Sequence, residues 1–167
     1  MSANVHDLPA LDVAGKPGLY AGLVAQARAL LESETDLVAN AANFSALVFN
    51  ALPAISWCGF YFRDGNDLLV GPFQGRPACV RIAQGRGVCG AAARTRETIV
   101  VADVDAFPDH VRCDSASRSE IVVPLVRGDG TLLGVWDVDS PSRARFDDDD
   151  RIGMEALCAA FMDSIGR

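Results

Sequence analysis

Ser56–Phe73 reads SWCGFYFRDGNDLLVGPF, two runs of strand-favouring residues on either side of Asp64-Gly65-Asn66, the turn chemistry that closes a tight hairpin. Period-two alternation in the first run sets Trp57, Gly59 and Tyr61 on one face and Cys58, Phe60 and Phe62 on the other. Cys58 thereby joins the phenylalanines and is expected in the core. Trp57 and Tyr61 share the opposite face, where they either pack as core or wall an apolar pocket.

Before this hairpin the period is helical. Leu19, Leu23, Ala27, Leu30 and Leu31 recur at three- and four-residue steps after Pro17, which a first helical turn tolerates. A second helix follows Asp36 as N-cap, carries Leu37, Ala41, Phe44, Leu47 and Val48, and stops at Pro53. Residues 1–16 are small and polar, with Pro9 and Gly15, and read as a loosely held tail.

After the hairpin, Cys79–Ile82 reads as a short strand, and Gly85–Gly90 (GRGVCG) turns into a short helix over Ala91–Arg94 with Cys89 near its start. Thr98–Val101 is a strand, and Asp103–Ser119 is a long polar loop containing His110 and Cys113. Ser119–Val126 and Thr131–Ser140 are strands joined through Gly128-Asp129-Gly130, and Phe146–Ile165 closes the chain as a helix. Helices at both ends bracket about six strands joined mainly by hairpins, which predicts an α+β fold with an antiparallel sheet and helices on its faces.

Half of the 167 residues are hydrophobic and the formal net charge is −7. A chain of this length builds one substantial core and one domain, over residues 17–167. The acidic balance and the scatter of its lysines and arginines argue against nucleic acid as a partner. The first ten residues lack a basic segment followed by an apolar one, and no run approaches a membrane span, so a cytoplasmic location is expected.

In that compartment thiols stay reduced, so the cluster Cys79, Cys89 and Cys113 is read as catalytic, metal-binding or redox-sensing. Cys113 is the leading nucleophile: it sits in a polar loop, follows Arg112 and is near His110, both of which favour a thiolate, the plainer alternative being an incidental exposed thiol. Cys79 and Cys89 then read as resolving thiols that condense with a sulfenic acid, or as small buried hydrophobes. The spacings contain no C-x-x-C knuckle, so no metal is expected. Cys158, beside Leu157 and Phe161 on an apolar stripe, reads as core.

Asp137 and Asp139 are two apart on a strand and face the same side about 7 Å apart. Their mutual repulsion would raise the pKa of one and leave it a proton to give, while the other binds a cation. Polar residues marking a strand's exit from the core are the plainer alternative. Glu120, ahead of Ile121–Val123, is equally ambiguous alone. Asp147–Asp150 lacks the spaced ligands of a calcium loop and reads as the acidic start of a helix.

The runs GPFQGRPACVRI (Gly71–Ile82), GRGVCG (Gly85–Gly90), CDSASRSEIVVPL (Cys113–Leu125) and GVWDVDS (Gly134–Ser140), with WCGFYF (Trp57–Phe62), closely resemble the free methionine-(R)-sulfoxide reductases, a family of stand-alone GAF domains. The resemblance covers everything from the second helix to the last. It implies a GAF fold with no bound cofactor and a thiol-dependent reduction of free L-methionine (R)-S-oxide. It makes Cys113 the attacking thiolate, Cys79 the principal resolving cysteine and Cys89 a second or relay one, with thioredoxin restoring the thiols. By the same resemblance Glu120, Asp137 and Asp139 hold the substrate ammonium and help protonate the sulfoxide oxygen, and Trp57 and Tyr61 form an aromatic wall. Arg112 and Trp136 depart from the residues expected there; Trp136 falls on the strand face away from the acids. Homodimer formation is left open. The rival reading is a GAF module that senses a small ligand or redox state without turnover.

Overall fold

A computed structural model of the chain describes residues 15–166. Residues 1–14, most of the segment read as a tail, lie outside the described residues. Gly15 and Lys16, assigned to the tail from sequence, are the first turn of α1 (Gly15–Leu31).

The chain continues through α2 (Leu37–Ala51), β1 (Trp57–Asp64), β2 (Asp67–Gln74), β3 (Arg81–Ala83), α3 (Gly87–Thr95), β4 (Ile99–Val101), a single 3-10 turn (Val104–Ala106), β5 (Ser119–Val126), β6 (Leu132–Ser140) and α4 (Asp148–Ile165). The six strands form one sheet in the order β3-β2-β1-β6-β5-β4, and every neighbouring pair is antiparallel. The α+β architecture with six strands is the one expected. Several boundaries differ, most by one or two residues, and two of the differences move a cysteine. Cys79 precedes β3 rather than starting it, and α3 begins four residues before Ala91, which puts Cys89 inside its first turn.

The sheet separates two cores. On one side α1, α2 and α4 pack on Cys58, Phe60, Ile121, Val123, Leu125, Trp136 and Val138. On the other α3 packs on Trp57, Tyr61, Val122 and Val135. Both sides are covered, so β1, β5 and β6 carry apolar residues on both faces. The helical side is an aromatic cluster: Trp136 meets Phe44 edge-on at 4.8 Å and Phe60 at 4.6 Å between ring centres. Its position confirms that Trp136 packs away from Asp137 and Asp139.

Asp36 caps α2, its side chain accepting from the Ala39 amide. Asp147 and Asp150 form a reciprocal capping box at the start of α4. Lys16 reaches both carboxylates at 2.6 Å, and Tyr20 and Arg145 donate to the fully buried Asp150. The acidic run is thus a helix start whose buried charge is fully partnered, tying α1 to α4.

Candidate active site

Register places the candidate residues side by side. In the central strands Trp57 of β1 pairs with Asp139 of β6, and Asp139 pairs with Glu120 of β5. One step along, Gly59 pairs with Asp137, which pairs with Val122. The side chains of this row point to the α3 side of the sheet. Gly59 is required there: a Cβ would lie 2.3 Å from that of Phe73 and 2.8 Å from the Trp57 ring.

Above this row is a cleft with about 490 Å³ of empty space, counting its open mouth. Trp57, Tyr61, Cys89, Cys113, Glu120, Asp137 and Asp139 all line it. Trp57 and Tyr61 stack at 5.8 Å between ring centres to form one wall. Each also holds the loop ahead of β3 through a backbone carbonyl: Trp57 Nε1 donates to Arg76 at 3.2 Å and the Tyr61 hydroxyl to Cys79 at 3.1 Å. Gly87, at φ +60°, lets the start of α3 approach the facing loop; its amide donates to the Asp109 carbonyl, and a Cβ would come within 3.0 Å of Val111.

Cys113, which lines the cleft, forms a disulfide with Cys79, which is not among the lining residues, the Cα atoms lying 5.2 Å apart. Cys89 is a free buried thiol on the floor, its Sγ 4.0 Å from Glu120 Oε1. Cys58 and Cys158 are free and buried in the opposite core, as expected. The neighbours of Cys113 do not converge on it as sequence proximity suggests. Arg112 forms an exposed ion pair with Asp105, and His110 Nε2 faces Glu120 Oε2 at 3.4 Å. Burial lowers the His110 pKa below its ordinary value, which favours the neutral imidazole.

The acids are the electrostatic centre of the cleft. Burial is the largest cause of the upward displacement in all three, and for Glu120 and Asp137 the charge of Asp139 adds to it. Glu120 and Asp137 are pushed well above the carboxylate range, and Asp139 to about 7. Repulsion, the cause expected from sequence, is therefore secondary to desolvation. The same burial, followed by the charges of Asp137 and Glu120, pushes up the Cys89 thiol, which keeps it protonated and a poor nucleophile. Asp137 Oδ1 is buried and has no hydrogen-bond partner among the described residues, while the Ser117 hydroxyl, also buried, lies beside Asp139 and offsets part of the effect of its burial. Unpaired buried polar atoms are costly, so Asp137 Oδ1 marks where a polar group of a ligand belongs.

Arg86, Asp114 and Ser117 also line the cleft but were not singled out from sequence. Arg86 had a detectable signal, because it immediately precedes α3 and its free first-turn amides. Ser117 had none, being one of several serines in a polar loop.

The GAF domain family matches residues 23–165. The free methionine-R-sulfoxide reductase of Escherichia coli is 45% identical over 144 residues, covering 86% of this chain and 87% of that protein. Protein YtsP of Bacillus subtilis is 53% identical over 133 residues, covering 78% of this chain and 81% of its own. The X-ray structure of free methionine-R-sulfoxide reductase from Neisseria meningitidis, in complex with its substrate, superposes with a TM-score of 0.90 at 41% identity, covering 99% of this chain and 96% of that one. The shared fold, and identity above two-fifths across nearly the whole length of both chains, make this protein a member of the free methionine-R-sulfoxide reductase family of GAF domains.

Proposed function

We propose that this chain reduces free L-methionine (R)-S-oxide to L-methionine. The observation that carries the reading is the Cys79–Cys113 disulfide standing over an acid-floored cleft. The relatives named for this activity and the substrate-bound Neisseria structure supply the substrate and its stereochemistry.

The cleft suits a zwitterion. The substrate ammonium sits against Asp137, whose free oxygen lacks a partner, with Glu120 and Asp139 beside it. The carboxylate lies toward Arg86 and the positive end of α3. The sulfoxide then points to the mouth, against Trp57 and Tyr61, within reach of Cys113.

With both rim cysteines reduced, the Cys113 thiolate attacks the sulfoxide sulfur. A buried carboxyl, kept protonated at neutral pH by its surroundings, gives a proton to the sulfoxide oxygen. Oxygen passes to the Cys113 sulfur, leaving a sulfenic acid and free methionine. The Cys79 thiol then attacks that sulfur, the new S–S bond forms, and the hydroxyl leaves as water with the thiol proton. The two electrons that reduce the sulfoxide come from the two thiols. Exchange with the dithiol of thioredoxin restores them and oxidises thioredoxin. Cys89 is secondary, since its own surroundings suppress its thiolate.

Pure protein is incubated with each diastereomer of free methionine sulfoxide and a thioredoxin recycling system, and NADPH is followed. Turnover of the R form, lost in Cys113→Ser with retention of fold, is the expected result. No turnover with either diastereomer would leave the ligand-sensing reading in its place, and a fully active Cys113→Ser would refute the nucleophile.

A further inference from the structure

We propose that Cys89, Glu120 and Asp137 form a binding site on the cleft floor for a thiophilic divalent cation such as zinc or cadmium. Among the described residues, one ligand atom from each of these three lies within 4.8 Å of the others. They come from three elements, α3, β5 and β6, so no sequence spacing announces them. All three residues are buried, with 4%, 5% and 6% of their surface exposed.

Two further observations point to a cation. Asp137 Oδ1 is buried without a hydrogen-bond partner on this floor. His110, which also lines the cleft, has its Nε2 3.4 Å from Glu120 Oε2, a neighbour of the kind that supports ligating groups. One sulfur and two carboxylate oxygens leave a fourth tetrahedral position facing the open cleft. A thiol among the ligands selects zinc or cadmium over magnesium or calcium, which require oxygen donors. On coordination the Cys89 sulfur and the Glu120 and Asp137 carboxylates bond the cation, and the protons these three groups carried pass to solvent; nothing is oxidised or reduced.

The test uses the oxidised protein. Cys79 and Cys113 are then held in their disulfide, and Cys58 and Cys158 lie across the sheet. A cadmium–thiolate charge-transfer band in the ultraviolet therefore reports Cys89 alone. Titration with cadmium should raise this band to saturation at one cation per chain, and excess magnesium should not remove it. Cys89→Ser should abolish the band, and Asp137→Asn and Glu120→Gln should each weaken cadmium binding by about tenfold or more. No band in wild type would overturn the site, as would a band that persists in Cys89→Ser or an affinity unchanged in Asp137→Asn. The proposal rests on the floor's geometry rather than on the substrate. A chain that bound cadmium here but reduced no sulfoxide would end the reductase reading and leave this one intact.

Discussion

Asp139→Asn turns the electrostatics of the cleft into a measurable slope. In the folded chain burial carries the Asp139 carboxyl from 3.8 to about 7, so between those values the native state keeps a proton that the unfolded chain has released. Stability linked to this group is complete below the unfolded value and is lost as pH climbs through the folded one. At about 1.4 kcal/mol per pKa unit the full interval corresponds to roughly 4 kcal/mol, and the partial exposure of Asp139 reduces this to about 2–4 kcal/mol. Glu120 and Asp137 are displaced in the same direction, so a residual fall persists in the variant. His110 acts oppositely: its lowered pKa makes the native state less stable as pH drops below 6.5, which flattens the acid end of both curves. Urea unfolding of wild type and Asp139→Asn at roughly pH 5 and pH 8 gives, as the difference in slope, the Asp139 share together with the part of the Glu120 and Asp137 displacement that the Asp139 charge causes. Wild type should lose more stability than the variant on going to the higher pH. Equal slopes, or a wild type that gains stability across the interval, would refute the burial argument.

Tyr61→Phe removes the donor to the Cys79 carbonyl and should cost about 0.5–1.5 kcal/mol. It should also slow disulfide closure more than the first turnover, seen by trapping the sulfenic acid in rapid-quench samples. Gly134→Ala would set a Cβ 2.1 Å from the Tyr61 carbonyl oxygen and 2.8 Å from the Phe62 Cα. Both are backbone of the adjoining strand, so a loss of about 2–3 kcal/mol in urea unfolding is expected. N-acetylmethionine sulfoxide lacks the ammonium that the proposed pose sets against Asp137 and its neighbours, and kcat/KM should fall roughly 100-fold or more against the free amino acid.

The parts of this molecule that were legible in sequence are those fixed by local rules. Alternation alone separated Trp57 and Tyr61 from Cys58 and Phe60, because a paired strand sends neighbours to opposite faces and the Asp64-Gly65-Asn66 turn sets its limits. It also brought Asp137 and Asp139 to one face. The errors fall where tertiary contacts decide. Gly87 and Gly90 are poor helix formers, yet α3 includes both. The turn of chain at Ala83–Gly85 packs so close to Gly90 that a Cβ there would meet the Ala83 carbonyl oxygen at 2.8 Å. Cys79 leaves the strand because Trp57 and Tyr61, some twenty residues earlier, hold its loop by carbonyl groups. Arg112 adjoins Cys113 in sequence, but its guanidinium turns to Asp105. Adjacency in a loop says little about which way a long side chain points.

The sheet sorts the five cysteines by what surrounds them. Cys58 and Cys158 sit in the helical core, where burial raises both thiols and leaves them inert. Cys89 is raised by burial and then by the charges of Asp137 and Glu120. Only Cys79 and Cys113 are partly exposed at the rim, and only they are paired. One cause therefore has two effects. The dry floor that keeps carboxyl protons on Glu120 and Asp137 also keeps the proton on Cys89, so in the proposed mechanism the surroundings that equip the acids as proton donors also confine thiol chemistry to Cys79 and Cys113. On that mechanism a wetter floor would ionise the acids and let Cys89 compete with Cys79 for the proposed Cys113 sulfenic acid, so the separation of proton donors from electron donors would depend on how completely the sheet and α3 exclude water.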